Sequence, residues 1–201
     1  MQAQLEQWQG QFGRDYTDRN VIDWKVRVPA FQRMVGDLPL TTLLEVGCNR
    51  GHNLVALRDI FGTRAEVHGV EPNPFARQIA TQTLGARSIS AGNGYQLPFS
   101  DDSFDLVFTA GVLIHVPMTD LGKMLDEIHR VSARYLLAVE YFAEQETVIS
   151  YRGRNDLLWK RNFLAGYQDR FPNLNLVRSG SVDEADGFDV CGWWLLEKTC
   201  K

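Results

Sequence analysis

Glu45, Gly47 and Gly51 stand in the pattern Glu-x-Gly-Cys-x-x-Gly, where an apolar run beginning near Thr41 gives way to helix-forming residues. A buried strand that breaks at glycines and restarts as a helix is a nucleotide-binding turn. The glycines let the backbone turn sharply and approach a ligand closely. The helix that follows offers unpaired N–H groups and the positive end of its dipole. The spacing departs from the dinucleotide fingerprint G-x-G-x-x-G, because Cys48-Asn-Arg50 separates the two glycines. A carboxylate two residues ahead of the turn would repel a pyrophosphate. It suits a ligand carrying positive charge, and S-adenosylmethionine carries both an ammonium and a sulfonium.

A second acid, Glu71, closes the next apolar run, Ala65-Glu-Val-His-Gly-Val70. An acid roughly twenty residues beyond the glycine turn can accept from both hydroxyls of a ribose. The plain alternative is a surface Glu at a strand end; beside the first motif the ribose role is the stronger reading. The four histidines show no zinc-ligand spacing and do not cluster with the cysteines, so no metal is expected.

Composition narrows the classes. A chain of 201 residues suits one domain with a sizeable core. A formal charge of −4 argues against a nucleic-acid partner, which calls for a basic face. Cys48, Cys191 and Cys200 are odd in number with no Cys-x-x-Cys spacing, which suggests reduced thiols in a cytoplasm. No signal-peptide pattern and no bilayer-length apolar run stand out, so a cytoplasmic location and no membrane partner are expected. Oligomeric state is not legible.

The elements that must position these residues follow in order. Residues 1–38 read as helical and polar, with Leu5, Trp8 and Phe12 on one face and Trp24, Val28 and Phe31 further on. They form either a cap that packs its aromatics on the sheet or a lid whose Tyr16, Arg19 and Asn20 face substrate. Residues 39–201 alternate strands and helices: strands at 41–46, 65–70, 86–90, 104–109 and 135–139, with helices between most of them. A helix over 156–170 precedes two strands near 174–180 and 188–198, which lack a helix between them and pair antiparallel. The pattern describes a Rossmann-like, doubly wound α/β fold of seven strands, mostly parallel with an antiparallel last strand. Trp193 and Trp194 alternate faces in that strand, one inward and the other against a helix or a neighbouring subunit.

Leu44-Glu-Val-Gly-Cys-Asn-Arg-Gly51, Gly69-Val-Glu-Pro72 and Leu97-Pro-Phe-Ser-Asp-Asp-Ser-Phe-Asp-Leu-Val107, in that order and spacing, resemble the class I S-adenosylmethionine-dependent methyltransferases. Trp8-Gln-Gly-Gln-Phe-Gly-Arg-Asp-Tyr-Thr-Asp-Arg-Asn20, Gly111-Val-Leu-Ile-His115, Glu140-Tyr141, Tyr151-Arg-Gly153 and Trp159-Lys-Arg-Asn-Phe163 look like a narrower group, the small methylases associated with pseudaminic acid biosynthesis. The resemblance implies S-adenosyl-L-methionine as cofactor, S-adenosyl-L-homocysteine as product, and a small polar acceptor such as a sugar or a nonulosonate-pathway intermediate. It places Gly47 and Gly51 under the methionine part, with Glu45 near its ammonium and Glu71 on the ribose. Asn93 falls where relatives place an acid for the adenine amino group, with its own carbonyl left to accept. Asn49 replaces a common glycine; Asn tolerates left-handed backbone. Cys48, Asn53, Pro72, Gly94, Ala110 and Gly111 complete the expected cofactor lining.

Methyl transfer from a sulfonium is an in-line displacement, so aligning the reactants and excluding water carry much of the catalysis. A hydroxyl or protonated amine acceptor also needs a base. His115, just past the fourth strand, could orient the acceptor or take its proton, having a reference pKa near neutrality; it could equally pack and cap the next helix. Glu140 ends the fifth strand and is the other candidate base, or a plain strand-end acid. Tyr141, Tyr151 and Arg152 are candidates for the acceptor pocket, with Arg152 suited to a carboxylate. Two other classes compete: a nicotinamide-dependent oxidoreductase, which the missing third glycine and Glu45 disfavour, and a non-catalytic S-adenosylmethionine-binding module.

Overall fold

The computed structural model describes residues 2–199. Helices α1 (Gln2–Gln9), α2 (Gln11–Arg19) and α3 (Val28–Val35) precede β1 (Thr42–Val46). There follow α4 (His52–Phe61), β2 (Glu66–Glu71), α5 (Pro74–Leu84), β3 (Ile89–Ala91), β4 (Phe104–Ala110), α6 (Met118–Val131) and β5 (Ser132–Glu140). The chain ends with β6 (Thr147–Val148), β7 (Trp159–Lys160), α7 (Phe163–Arg170), β8 (Leu174–Val182) and β9 (Cys191–Lys198). Seven strands form one sheet in the order β3-β2-β1-β4-β5-β9-β8, and β6 pairs with β7 in a separate ribbon. Strands β1 to β5 are parallel, and β9 runs antiparallel to both neighbours. This is the Rossmann-like sheet that the alternation of strands and helices predicts.

Consecutive strand residues point to opposite faces, and both faces are apolar. Leu43, Leu106, Phe108, Leu137 and Leu195 join the core that α3 and α4 cover. Leu44, Val107, Leu136 and Leu196 join the core that α6 and α7 cover. Trp193 and Trp194 divide between the two cores, and both are buried. Trp194 thus takes the helix side of the expected alternative, packing in the core that α6 and α7 cover.

The helix expected over 156–170 begins only at Phe163, where the Asn162 side chain accepts from the Ala165 N–H at 3.0 Å. Upstream, Trp159 pairs with Val148, and the Ile149 N–H donates to the Leu158 carbonyl at 2.9 Å. Strand pairing with a partner residues earlier in the chain satisfies this backbone, and Leu157, Leu158 and Trp159 are buried in that conformation. The third strand is shorter than expected and the fifth longer. Cys48 and Cys191 are free and buried, while Cys200 lies outside the described residues. Among the described residues no helix is long and apolar enough to cross a membrane, and no His, Cys, Asp and Glu grouping could hold a metal.

Helix α3 belongs to the core, not to a detachable cap: Ala30, Phe31, Met34 and Val35 are all fully buried. The Phe31 ring meets Phe108 and Phe188 edge-on, each with centroids 5.9 Å apart. Truncating Phe31 to alanine is expected to cost about 3–5 kcal/mol of stability, read as a lower midpoint in urea unfolding with an unchanged slope.

Candidate functional site

Ligands of open α/β sheets bind beyond the carboxyl ends of the strands where the strand order reverses. Here that point lies between β1 and β4, and a cavity opens there, bounded by the turns after β1, β2 and β4 and by α1 and α2. After β1 the chain turns at Gly47, whose φ is +80° and whose N–H, like that of Cys48, donates to the Val70 carbonyl at 2.8 and 3.1 Å. A Cβ at Gly47 would sit 2.7 Å from the Val112 side chain, so the two turns approach as closely as they do only because that Cβ is missing. Asn49 adopts φ +46°, as an asparagine tolerates.

Of the expected cofactor residues, Glu45, Gly47, Cys48, Asn49 and Asn53 line this cavity from the first turn. Glu71 and Pro72 line it from the second, and Asn93, Gly94, Ala110 and Gly111 from the far wall. Gly51 does not. It is buried beneath α4 at φ +80°, where a Cβ would lie 2.6 Å from Leu84, so it seats α4 on α5 and makes no floor for a ligand. Asn93 lines the cavity, but its side-chain oxygen already accepts from the Tyr95 N–H at 2.9 Å, a local turn that competes with the adenine role expected for it.

Two carboxylates define the electrostatics. Glu45 Oε1 accepts from Asn53 Nδ2 at 2.6 Å, while its Oε2 is buried with no partner. Asn53 Oδ1 in turn accepts from Arg27 Nη1 at 2.5 Å, so an acid and a guanidinium are joined through one amide. Arg27 is held in place by the Gly187 carbonyl, at 3.0 and 2.8 Å from Nε and Nη2, and by the face of Phe188, 4.1 Å away. Burial pushes the Glu45 carboxyl up to about 8, against the opposing pull of Asn53 and Arg27. Glu71 accepts from the Asn73 and Asn49 N–H groups at 2.7 and 2.8 Å, yet burial still raises it to about 7. His52, on the rim, is pushed down to about 4 by burial and then by Arg27 and Arg50.

His115 also lines the cavity, from a one-turn 3-10 segment, Leu113–His115. Its Nδ1 lies 2.6 Å from the Leu157 carbonyl oxygen. A carbonyl can only accept, so Nδ1 carries the proton and Nε2 keeps its lone pair. Burial holds the imidazole near pKa 4, hence neutral. Trp8 packs on the ring at 4.6 Å between centroids, and Tyr151 and Tyr16 stand at 5.8 and 6.4 Å.

The remaining candidates divide. Tyr16 and Asn20 line the cavity, whereas Arg19 is exposed on the outer side of α2. Glu140 lies outside the cavity lining: its carboxylate is fully buried and accepts from the N–H groups of Val112, Leu113 and Ile114. Tyr141 lies outside the cavity and donates its hydroxyl to Asp189. Arg152 sits exposed at φ +53° beside Gly153 at φ +74°, on the tip of a tight turn whose geometry aims it at solvent.

Sequence reasoning misses two residues. Arg27 is the charge within an otherwise apolar helical face, Trp24, Val28 and Phe31, and that mismatch was its signal. Asn73 caps α5 with its oxygen and with Nδ2 donates to the Trp8 and Gly10 carbonyls at 2.7 and 3.2 Å. It therefore ties α1 and α2 to the turn that carries Glu71. Arg50 adds a bond from the first turn to the Thr17 carbonyl at 3.1 Å. Neither link leaves a trace in spacing.

Residues 44–134 match the family model described as a methyltransferase domain. Over those residues the chain is similar to methyltransferase domains. A demethylmenaquinone methyltransferase of Geobacillus kaustophilus (strain HTA426) is 32% identical over 114 residues, 54% of this chain and 48% of that protein. The chain thus spans about half the length of the relatives it matches in sequence. Among solved structures, magnesium protoporphyrin IX methyltransferase from Synechocystis PCC 6803, with bound S-adenosylhomocysteine, shares the fold. Its TM-score is 0.69 at 16% identity, covering 96% of this chain and 97% of that one. The 1,6-didemethyltoxoflavin-N1-methyltransferase of Burkholderia thailandensis, also with S-adenosylhomocysteine, gives 0.67 at 18% identity, covering 94% and 83%.

The residues that line the cavity fit S-adenosylmethionine. The unpartnered Glu45 oxygen suits an ammonium, Arg27 suits a carboxylate, and Glu71 stands where ribose hydroxyls are accepted.

The raised carboxyls have a signed consequence. Glu45, Glu71 and Glu140 each bind a proton more tightly folded than unfolded, so the stability they leave is present at low pH and lost as pH rises through about 7 to 8. The histidines pushed down to about 4 act in the opposite sense, but mainly below 6.5. Thermal melts of the ligand-free protein should therefore show the midpoint falling between pH 6.5 and 8, and S-adenosylhomocysteine should raise it more at 8. A flat or rising midpoint across that window would contradict the assignment.

Proposed function

We propose that the protein transfers the methyl group of S-adenosylmethionine to an O–H or N–H nucleophile of a small polar metabolite, with His115 orienting that group and taking its proton. The supporting observation is that one cavity is lined both by Glu45 and Arg27, joined through Asn53, and by a neutral imidazole whose Nε2 keeps its lone pair. The bound cofactor supplies an electrophilic methyl on a sulfonium. The chain's own residues bind, orient, exclude water and accept a proton. Trp8 and the rest of α1 and α2 cover His115, leaving it 8% exposed, which keeps competing water from the nucleophile.

The resemblance to methylases of nonulosonate pathways favours a sugar-like acceptor, and the cavity-lining rings of Trp8 and Tyr16 can pack on sugar faces as on planar rings. A quinol-type ring acceptor is the competing reading, favoured by the relatives named for demethylmenaquinone and by those same aromatic side chains. Turnover on a panel of sugars and quinols, followed by release of S-adenosylhomocysteine, separates them.

Titration calorimetry with S-adenosylhomocysteine tests cofactor binding. Replacing Arg27 by glutamine should remove about 1.5–3 kcal/mol, at least a tenfold loss of affinity; no heat with the intact protein would refute the assignment outright. His115→Ala should slow methylation by roughly 10²–10⁴ while binding S-adenosylhomocysteine as before. Full activity in that variant would remove the base.

A further inference from the structure

The 3-10 segment that carries His115 is three residues long, too short to hold its shape by its own hydrogen bonds. Its leading N–H groups have no partner within the turn. Glu140 supplies one for each: Oε1 accepts from Val112 at 3.2 Å and Leu113 at 3.1 Å, and Oε2 from Ile114 at 3.3 Å. Each bond is at the long end of the usual range, so the grip is collective. The carboxylate is wholly buried, at 0% exposure, a costly placement for a charge unless both oxygens are used.

The chain then returns to the same turn. Leu157 offers its carbonyl to His115 Nδ1, and Arg161, itself buried, donates from Nη1 to the Val116 carbonyl at 2.7 Å. From the cap, Gln4 Nε2 donates to the His115 carbonyl. The turn is therefore fixed at its N–H groups by Glu140, at its carbonyl groups by Gln4 and Arg161, and at the imidazole by Leu157. Tautomer choice follows from that placement. The ring meets the Leu157 oxygen through Nδ1 only while the turn keeps its position relative to the 141–161 hairpin.

We propose that Glu140 is a positioning residue for methyl transfer: by capping the 112–115 turn it holds His115 as the Nδ1–H tautomer, with Nε2 presented as the proton acceptor. The proposal rests on the reading of His115 as the acceptor's partner. Glu140 itself touches no reacting atom, since it lies outside the cavity and both its oxygens are engaged.

Nitrogen-15 NMR of histidine-labelled full-length protein with S-adenosylhomocysteine, at one fixed pH near 7.5, reads the tautomer directly. In the unaltered protein His115 should show a single Nδ1–H pattern. Glu140→Gln, which keeps one acceptor oxygen but sets an amide NH2 against the N–H on the other side, should turn this into a mixture or into the Nε2–H form. Glu140→Asp keeps the charge one methylene further back and should retain part of the Nδ1–H signal, so it also serves if the Gln variant does not fold. Once an acceptor is in hand, the folded variants should lose roughly tenfold in kcat with KM little changed. An unaltered Nδ1–H pattern in a folded Gln or Asp variant overturns the positioning role. A lost pattern with unchanged methylation overturns the use of His115 as base instead, a distinct result.

Discussion

A carboxylate buried at the end of a strand is expensive to keep, and Glu45 is kept with one oxygen unpartnered. Its neighbours only partly compensate. Asn53 satisfies the other oxygen, and Arg27 adds an opposite charge through Asn53, while burial still dominates its protonation. A group held that way is complete only when a donor arrives, and a cationic one is favoured. The rest of the site is arranged round that requirement: a tight turn at Gly47 brings the β4 loop close, and Glu71 sits one strand over on the same edge.

The covering helices are joined to this edge, not merely laid over it. Asn73 and Glu71 belong to the same turn, and Asn73 bonds both the Glu71 carboxylate and the backbone of the α1–α2 junction. Arg50 in the first turn reaches Thr17 in α2. Trp8, placed by those contacts, lies against His115. The turns after β1 and β2, the covering helices and His115 are thus linked by hydrogen bonds and a ring contact, so order in one part of the cavity depends on order in the others. The carboxyl end of β5 contributes differently. Glu140 spends its charge on backbone N–H groups, as a buried acid must, and its influence on the chemistry passes through the turn it caps.

Much of the fold is legible in the sequence because parallel strands covered on both faces are continuous apolar runs, and each is closed by a glycine, an acid or a proline. The glycine turn and the acid of β2 are legible for the same reason: their spacing is local and their chemistry restrictive. The 156–162 segment is misread as helix because its burial comes from pairing with 147–148, a contact no window of neighbouring residues contains. Arg19, Tyr141 and Arg152 stand away from the cavity for a related reason, since a residue type suited to a substrate does not say which way a helix face or a turn tip points.

What the sequence determines by itself is therefore the strand–turn–helix with its cationic preference, the order of elements that must surround it, and a short set of polar residues near the strand ends. The tertiary structure alone decides which of those polar groups are already satisfied. Glu45 and Glu140 are both strand-end acids; the glycine turn after Glu45 marks it locally, but nothing nearby in the chain shows which acid is already satisfied. One is left with a bare oxygen facing a cavity, the other with three N–H groups from a neighbouring turn. Hydrogen-bond satisfaction in a buried site is a property of what the fold brings within 3 Å or so, and that is set by contacts far apart along the chain.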